Sequence, residues 1–280
     1  VKMGFFLVMK AELVRVFIVM RRYWFRTITG MIIGYGMLMV LVAGFIYSRP
    51  QVEQGLSKFS DPAAATNFVL GFIIGMYAFS VVGMFTQGLQ GMATSGVLEQ
   101  LCMSPHGLIT NFLAQVLVAS VSTIISSGIM VYLVSFSVGG SLHWDTLPVM
   151  VLLALTFFNL LGFGFMVGGL VLVFKQVGQV AILIRMGLFG LAVFAREELL
   201  QQPWPVRLSM HVLPVTDAAI CLKHVLIKGQ LNAAGEHASV FQHQSFYWLL
   251  VSCVAWTAIG MSVFKVMENW SRSKGTLGSY

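Results

Sequence analysis

The chain has 280 residues, 58% of them hydrophobic and 10% charged, with 17 Lys+Arg against 10 Asp+Glu and a formal net charge of +7. Soluble domains carry about 25% charged residues, so these charges are too few to clothe a surface in water, and the mean hydropathy of +0.85 excludes a soluble enzyme and a disordered chain. What remains is an all-α polytopic membrane protein, with the basic excess directed at membrane lipids and not at nucleic acid.

In chain order, residues 3–26 come first: a helical pattern too charged to span. Glu12, Arg15, Arg22 and Arg26 fall in one sector of a wheel at about 100° per residue, most other positions are apolar, and Lys10 and Arg21 lie opposite. The pattern predicts an amphipathic interfacial helix, its basic face toward headgroups or a partner; the alternative is a plain positive-inside anchor for the first span.

A span needs about 20 apolar residues, and six stretches qualify: 28–48, 67–88, 109–137, 147–174, 178–195 and 245–266. Arg26 and Arg49 bound the first, and the second opens after Asp61-Pro62. His143-Trp144-Asp145 and Lys175-Gln176 separate the third, fourth and fifth. Phe246, Tyr247 and Trp248 lie at one end of the last span and Trp270 beyond the other, as interfacial rings do. No cleavable signal peptide is expected, because the apolar start runs into an Arg-rich helix. An even number of spans puts both termini on one side. Lys2, Lys10, Arg15, Arg21, Arg22 and Arg26, with Lys265, Arg272 and Lys274 at the other end, make that side cytoplasmic. Arg49, Lys58, Arg196, Arg207, Lys223 and Lys228 on the outer side moderate the bias.

Between the second and third spans, Thr94, Ser95 or Gly96 can cap a short inner helix, Glu99 suits its first turn and Pro105 stops it. That helix, over 94–105, would present Leu98, Leu101 and Met103 to a docking partner. The long outer segment 196–244 is broken by Pro203 and Pro205. Leu213-Pro214-Val215-Thr216-Asp217 then opens a helix that Gly229 closes. With Asp217, Lys223 and Lys228 inside it, this segment fits a re-entrant or interfacial helix better than a seventh span.

Catalytic patterns are absent. The chain has no G-x-x-x-x-G-K-[ST], no H-E-x-x-H and no G-x-S-x-G. Cys102, Cys221 and Cys253 have neither disulfide-framework nor zinc spacing. The histidines at 106, 143, 211, 224, 237 and 243 lie mainly in loops; His237 and His243 could reach a metal, but solvated loop histidines are the commoner case. No Asp or Glu lies inside a predicted span, which argues against ion-coupled transport. The one ionisable residue well inside a span is Arg185, which either snorkels or bonds a neighbouring helix, or touches a substrate. Gly30/Gly34, Gly71/Gly75 and Gly164/Gly168 are spaced for close helix packing, and Ser120, Ser122, Thr123, Ser126 and Ser127 make the third span rich in hydroxyls.

These features together resemble the ABC type-2 transporter permeases, the membrane subunits of ATP-driven exporters. Gly96-Val-Leu-Glu99-Gln100-Leu101-x-x-Ser104-Pro105 is similar to that family's G-x-L-E-x-L-x-x-[ST]-P segment. Leu213-Pro214-x-Thr216 is similar to its outer L-P-x-[ST], and Lys274-Gly275-Thr-Leu-Gly278-Ser-Tyr280 to its K-G-x-L-G-x-Y ending. Arg196-Glu197-Glu198 departs from the more apolar turn common there.

The resemblance implies a single permease domain over the whole chain. Residues 94–105 would be a coupling helix on an ATP-binding subunit present in two copies, and the amino-terminal helix would brace that subunit. The second permease would be an identical or homologous chain. It implies no cofactor and no metal on this chain, ATP and Mg on the partner, and a cell-membrane location. The substrate implied is an amphipathic or lipid-like molecule of the drug and antibiotic class. The alternatives are a polysaccharide or other polymer exporter of the same family, or a secondary transporter or channel outside it.

Overall fold

Runs of Leu, Val, Ile, Met and Phe can lie in hydrocarbon only if their backbone polar groups are satisfied within the segment, which makes each run a helix. The computed structural model describes residues 2–47, 62–103, 107–138, 146–174, 178–228 and 240–273. Ten α-helices occupy them: α1 (Lys2–Arg22), α2 (Trp24–Tyr47), α3 (Pro62–Thr94), α4 (Val97–Met103), α5 (Gly107–Val138), α6 (Thr146–Val173), α7 (Gly178–Phe194), α8 (Trp204–Val212), α9 (Thr216–Lys228) and α10 (Gln244–Ser273). Short 3₁₀ turns stand at Glu197–Gln201 and Val240–Gln242. Arg49, Lys58, Asp61, Ser104, Pro105, His106, His143, Trp144, Asp145, Lys175, Gln176, Gly229, His237 and residues 274–280 lie outside the described residues.

Among the described residues, four helices are long and apolar enough to cross a membrane, over Thr66–Thr94, Gly107–Leu133, Leu147–Val173 and Gln244–Ser271. The first and fifth expected spans coincide with shorter apolar helices, Trp24–Val40 and Gln179–Phe194. The architecture is thus the all-α, polytopic one that the composition predicts.

The amino-terminal segment differs from its expectation. The helix predicted over 3–26 divides at Tyr23, so Arg26 belongs to α2 and not to the helix that carries Glu12, Arg15 and Arg22. Backbone bonds from Tyr23 N–H to Val19 and from Thr27 N–H to Tyr23 carry the chain across the break. α1 packs against α5. Its half-buried positions Phe5, Met9, Glu12 and Val16 recur at helical spacing, so Glu12 lies on the packed side, ion-paired to Arg15 at 2.8 Å. The exposed remainder is largely apolar, including Leu13, Phe17 and Ile18.

The core centres on α3, which packs on α5, α6 and α7, while α6 runs along α10. Water does not drive helices together in lipid, so close packing must. The tightest approach is one the glycine spacing did not reveal: Gly162 of α6 meets Gly260 of α10 backbone to backbone, with no room for a Cβ on either. Of the predicted pairs, Gly71/Gly75 face α7 and Gly164/Gly168 receive Phe85 and Leu89 of α3, but Gly30 faces open space. Phe85, Phe112, Phe165 and Phe264 join four helices edge to face, at centroid distances of 5.0 Å for Phe85–Phe165, 5.4 Å for Phe85–Phe112 and 5.2 Å for Phe165–Phe264. Such pairs contribute about 0.5–1.5 kcal/mol each beyond burial.

Candidate functional site

Three places hold the residues singled out in the sequence. The first is the junction of α3, α4 and α5. Thr94 and Ser95 do not cap α4; they close α3, Thr94 Oγ1 donating to the Gln90 and Gly91 carbonyls at 3.1 Å and Ser95 Oγ to Gly91 at 2.8 Å. That leaves Gly96 just before α4, at φ +71°, and Gly107 opens α5 at φ +74°. Both are left-handed conformations that a side chain disfavours. Glu99 and Gln100 lie in the middle of α4. The expectation that Leu98 and Leu101 project outward is corrected: Leu98 is fully buried in the main core and Leu101 packs half-buried on it. A seven-residue helix is too short to be stable alone, and Leu98 anchors it to the bundle. Val97 and Gln100 are exposed instead.

The second place is Arg185 of α7, 5% exposed. Its Nε donates to the Phe79 carbonyl of α3 at 2.9 Å, and its guanidinium sits 3.7 Å from the centroid of the Phe79 ring. The group lies directly over Gly83, where any Cβ would strike it. It bonds a neighbouring helix, one of the expected outcomes, and no carboxylate pairs with it among the described residues. It also borders a cavity of about 420 Å³ between α3, α5 and α7, whose other polar walls are Ser80, Gln87 and Gln115. Glutamines on α3 and α5 were not singled out in the sequence, because only the helix pairing brings them to one space.

The third is the outer segment. Pro203 precedes α8 and Pro205 lies in its first turn, so the prolines that break the chain also start a helix. α8 and α9 meet at 89°, the bend falling on Leu213, Pro214 and Val215. This geometry suits a re-entrant or interfacial elbow. Asn159 of α6 holds the bend, donating to the Pro214 carbonyl at 2.8 Å and to Ser252 Oγ of α10 at 3.2 Å, and Trp256 donates to the Val212 carbonyl at 2.9 Å.

Thr216 and Asp217 open α9 as predicted, but both are buried. Asp217 bonds His211 Nδ1 at 2.9 Å, and the His211 ring stacks on Trp248 at 4.7 Å. Burial pushes the Asp217 carboxyl up to about 6, against the opposing pull of His211. Lys223 Nζ donates to the carbonyls of Ala192, Val193 and Ala195 at 2.9, 3.1 and 2.7 Å. It thereby caps the carboxyl end of α7, where unpaired carbonyls and the helix dipole favour a cation. Burial draws its ammonium down to about 7, and the Arg196 charge acts in the same direction. Asp217 and Lys223, two of the charges that argued against a span here, are therefore held within the fold. Near them, Glu197 Oε1 meets His224 Nδ1, and the His224 and His243 rings lie 5.1 Å apart.

Among the described residues, a helical bundle with long apolar helices, a short helix between two of them and a bent pair defines a multi-pass membrane protein. The ABC-2 type transporter family model matches residues 8–219. The chain belongs to that family. No curated protein matches it.

Proposed function

We infer that this chain is the permease subunit of an ATP-driven exporter in the cell membrane, one permease domain with six spans, α2, α3, α5, α6, α7 and α10, and both termini cytoplasmic. Residues 94–105 dock on a separate ATP-binding subunit, two copies of which serve a pair of permeases, identical or homologous. ATP and Mg bind there, and this chain is not itself the ATPase. Family membership supports permeation. The observation that carries the coupling role is the placement of α4, buried on its Leu98 side and exposed at Val97 and Gln100, a rigid tooth that transmits movement to α3 and α5.

The Arg185 cavity favours an amphipathic or lipid-like substrate, of the drug or antibiotic class, over a polymer. It offers one unneutralised cation and two glutamines amid apolar walls, so the head that fits is anionic or rich in acceptors.

The test is co-purification and vesicle transport with the cognate ATP-binding subunit. Glu99→Arg and Pro105→Ala are expected to weaken association and abolish ATP-dependent export at unchanged permease Tm. Full association and transport in both variants would overturn the assignment.

A further inference from the structure

Three side chains with metal-binding atoms converge on the outer elbow from separate segments. Glu197 comes from the turn after α7, His224 from α9 and His243 from the residue preceding α10. One ligand atom of each lies within 4.8 Å of the other two. Glu197 Oε1 and His224 Nδ1 are already in contact. The Ser245 N–H donates to His243 Nδ1 at 3.3 Å, a long bond that a metal on that nitrogen would replace.

A structural ion pair between Glu197 and His224 would account for two of these groups. The His243 ring stands 5.1 Å from that of His224, so a second imidazole reaches the same pair. A divalent cation would engage all three groups at once, each imidazole binding it through an unprotonated nitrogen. Zinc ligands stand about 2.1 Å from the ion, so tetrahedral neighbours are about 3.4 Å apart, a separation this trio reaches by side-chain rotation. All three residues are half-buried, open enough to water for entry and dry enough to strengthen binding. Two imidazoles and a carboxylate are a borderline donor set that suits zinc and its first-row neighbours over Ca²⁺ or Mg²⁺.

The geometry points to a first-row divalent cation site, of the zinc class, formed by Glu197, His224 and His243. Such an ion joins the carboxyl end of α7 to α9 and to the start of α10, adding to the Lys223 cap, the Asn159 bonds and the packing of α9 on both helices. It is independent of the inner coupling helix and of the substrate cavity. The segment that supplies Glu197 is also where the sequence departs from the family pattern, so the site is expected in this chain and not across its relatives.

The test uses the purified full chain in detergent, its affinity tag removed and bound metal stripped by chelation. Titration calorimetry with Zn²⁺ is expected to give one site per chain and a rise in Tm. Affinity should fall at least tenfold in His224→Ala and His243→Ala and less in Glu197→Gln, while His106→Ala binds as the parent does. Should an alanine variant fold poorly, His243→Gln, whose ring is half-exposed, gives the same reading at a milder substitution. Co²⁺ bound to the same site is expected to show visible absorption bands that are lost in the histidine variants. Absence of stoichiometric binding would overturn the proposal, as would binding that survives loss of both histidines or is competed equally by Mg²⁺.

Discussion

Arg185 gains its position from two features of α3: a carbonyl at Phe79 that accepts its Nε, and a missing side chain at Gly83 that makes room for its guanidinium. A charge-assisted hydrogen bond contributes about 1.5–3 kcal/mol, roughly ten- to a hundredfold in binding. Arg185→Gln is therefore expected to lower transport by about tenfold or more while leaving assembly with the ATP-binding subunit intact, as measured by vesicle uptake alongside co-purification. Arg185→Lys should recover only part of the loss, since an ammonium lacks the planar fork and the stacking surface. Gly83→Ala displaces the guanidinium without removing its charge, so reduced transport in that variant would tie the effect to position. In the sequence Arg185 stands out as a lone ionisable group, but its partners do not: a main-chain carbonyl and a glycine carry no local mark, and only the pairing of α3 with α7 assigns them.

Among the elements, α6 and α10 depend on the contact between Gly162 and Gly260. Overpacking in a filled core costs about 1–3 kcal/mol, and here the obstacle is backbone, which yields less than a side chain does. Gly260→Val should lower the Tm clearly in detergent, and Gly30→Ala, in open space, should not. For α7 and α9, Lys223→Met leaves three buried carbonyls without their donor, at a cost of about 1–3 kcal/mol, and thermal unfolding measures that loss.

Much of the element order was legible: the four long apolar helices, the start of α9 at Thr216 and the short helix α4 all follow from apolar runs and breakers. The orientation of α4 was not, because Leu98 and Leu101 read equally as docking teeth or as anchors until the neighbours of the helix are known. Nor was the break at Tyr23, where nothing in the sequence interrupts the apolar helical pattern. Lys223 and Asp217 were read as marks of an aqueous interface, whereas each is buried with specific partners, an arrangement set by residues 6 to 31 positions away.

At the scale of the whole molecule, sidedness is the property that the positive charges assign and that labelling can measure. In a chain with Cys102, Cys221 and Cys253 replaced, Gln100→Cys should react with an impermeant maleimide only in inside-out vesicles, and Arg207→Cys only in intact cells. The reverse pattern would invert the topology and remove α4 from reach of a cytoplasmic ATPase. Leu98→Ala supplies a further check: a buried leucine lost from a core costs about 2–5 kcal/mol, so this change should lower Tm, unlike Gln100→Ala on the exposed side. Composition alone conveys that the chain lives in lipid. The division into a central α3, a paired α6 and α10, and an elbow tied to both comes from distant contacts that no local pattern encodes.

The α6–α10 contact also bears on how a displacement can travel. At Gly162 and Gly260 the two backbones touch with no side chain between them, and the helices are further pinned at Asn159–Ser252 and by Ser271 Oγ to the Leu172 carbonyl at 3.2 Å. The pair packs as a unit, with the elbow fastened to one end of it through Pro214 and Val212. α4, by contrast, packs on α3 and α5. A push delivered at α4 would therefore enter on one side of the bundle and reach α6 through α3 and α5, whose Phe85 and Phe112 rings both meet Phe165. That aromatic seam is the contact through which a displacement of α3 and α5 would reach α6 and α10.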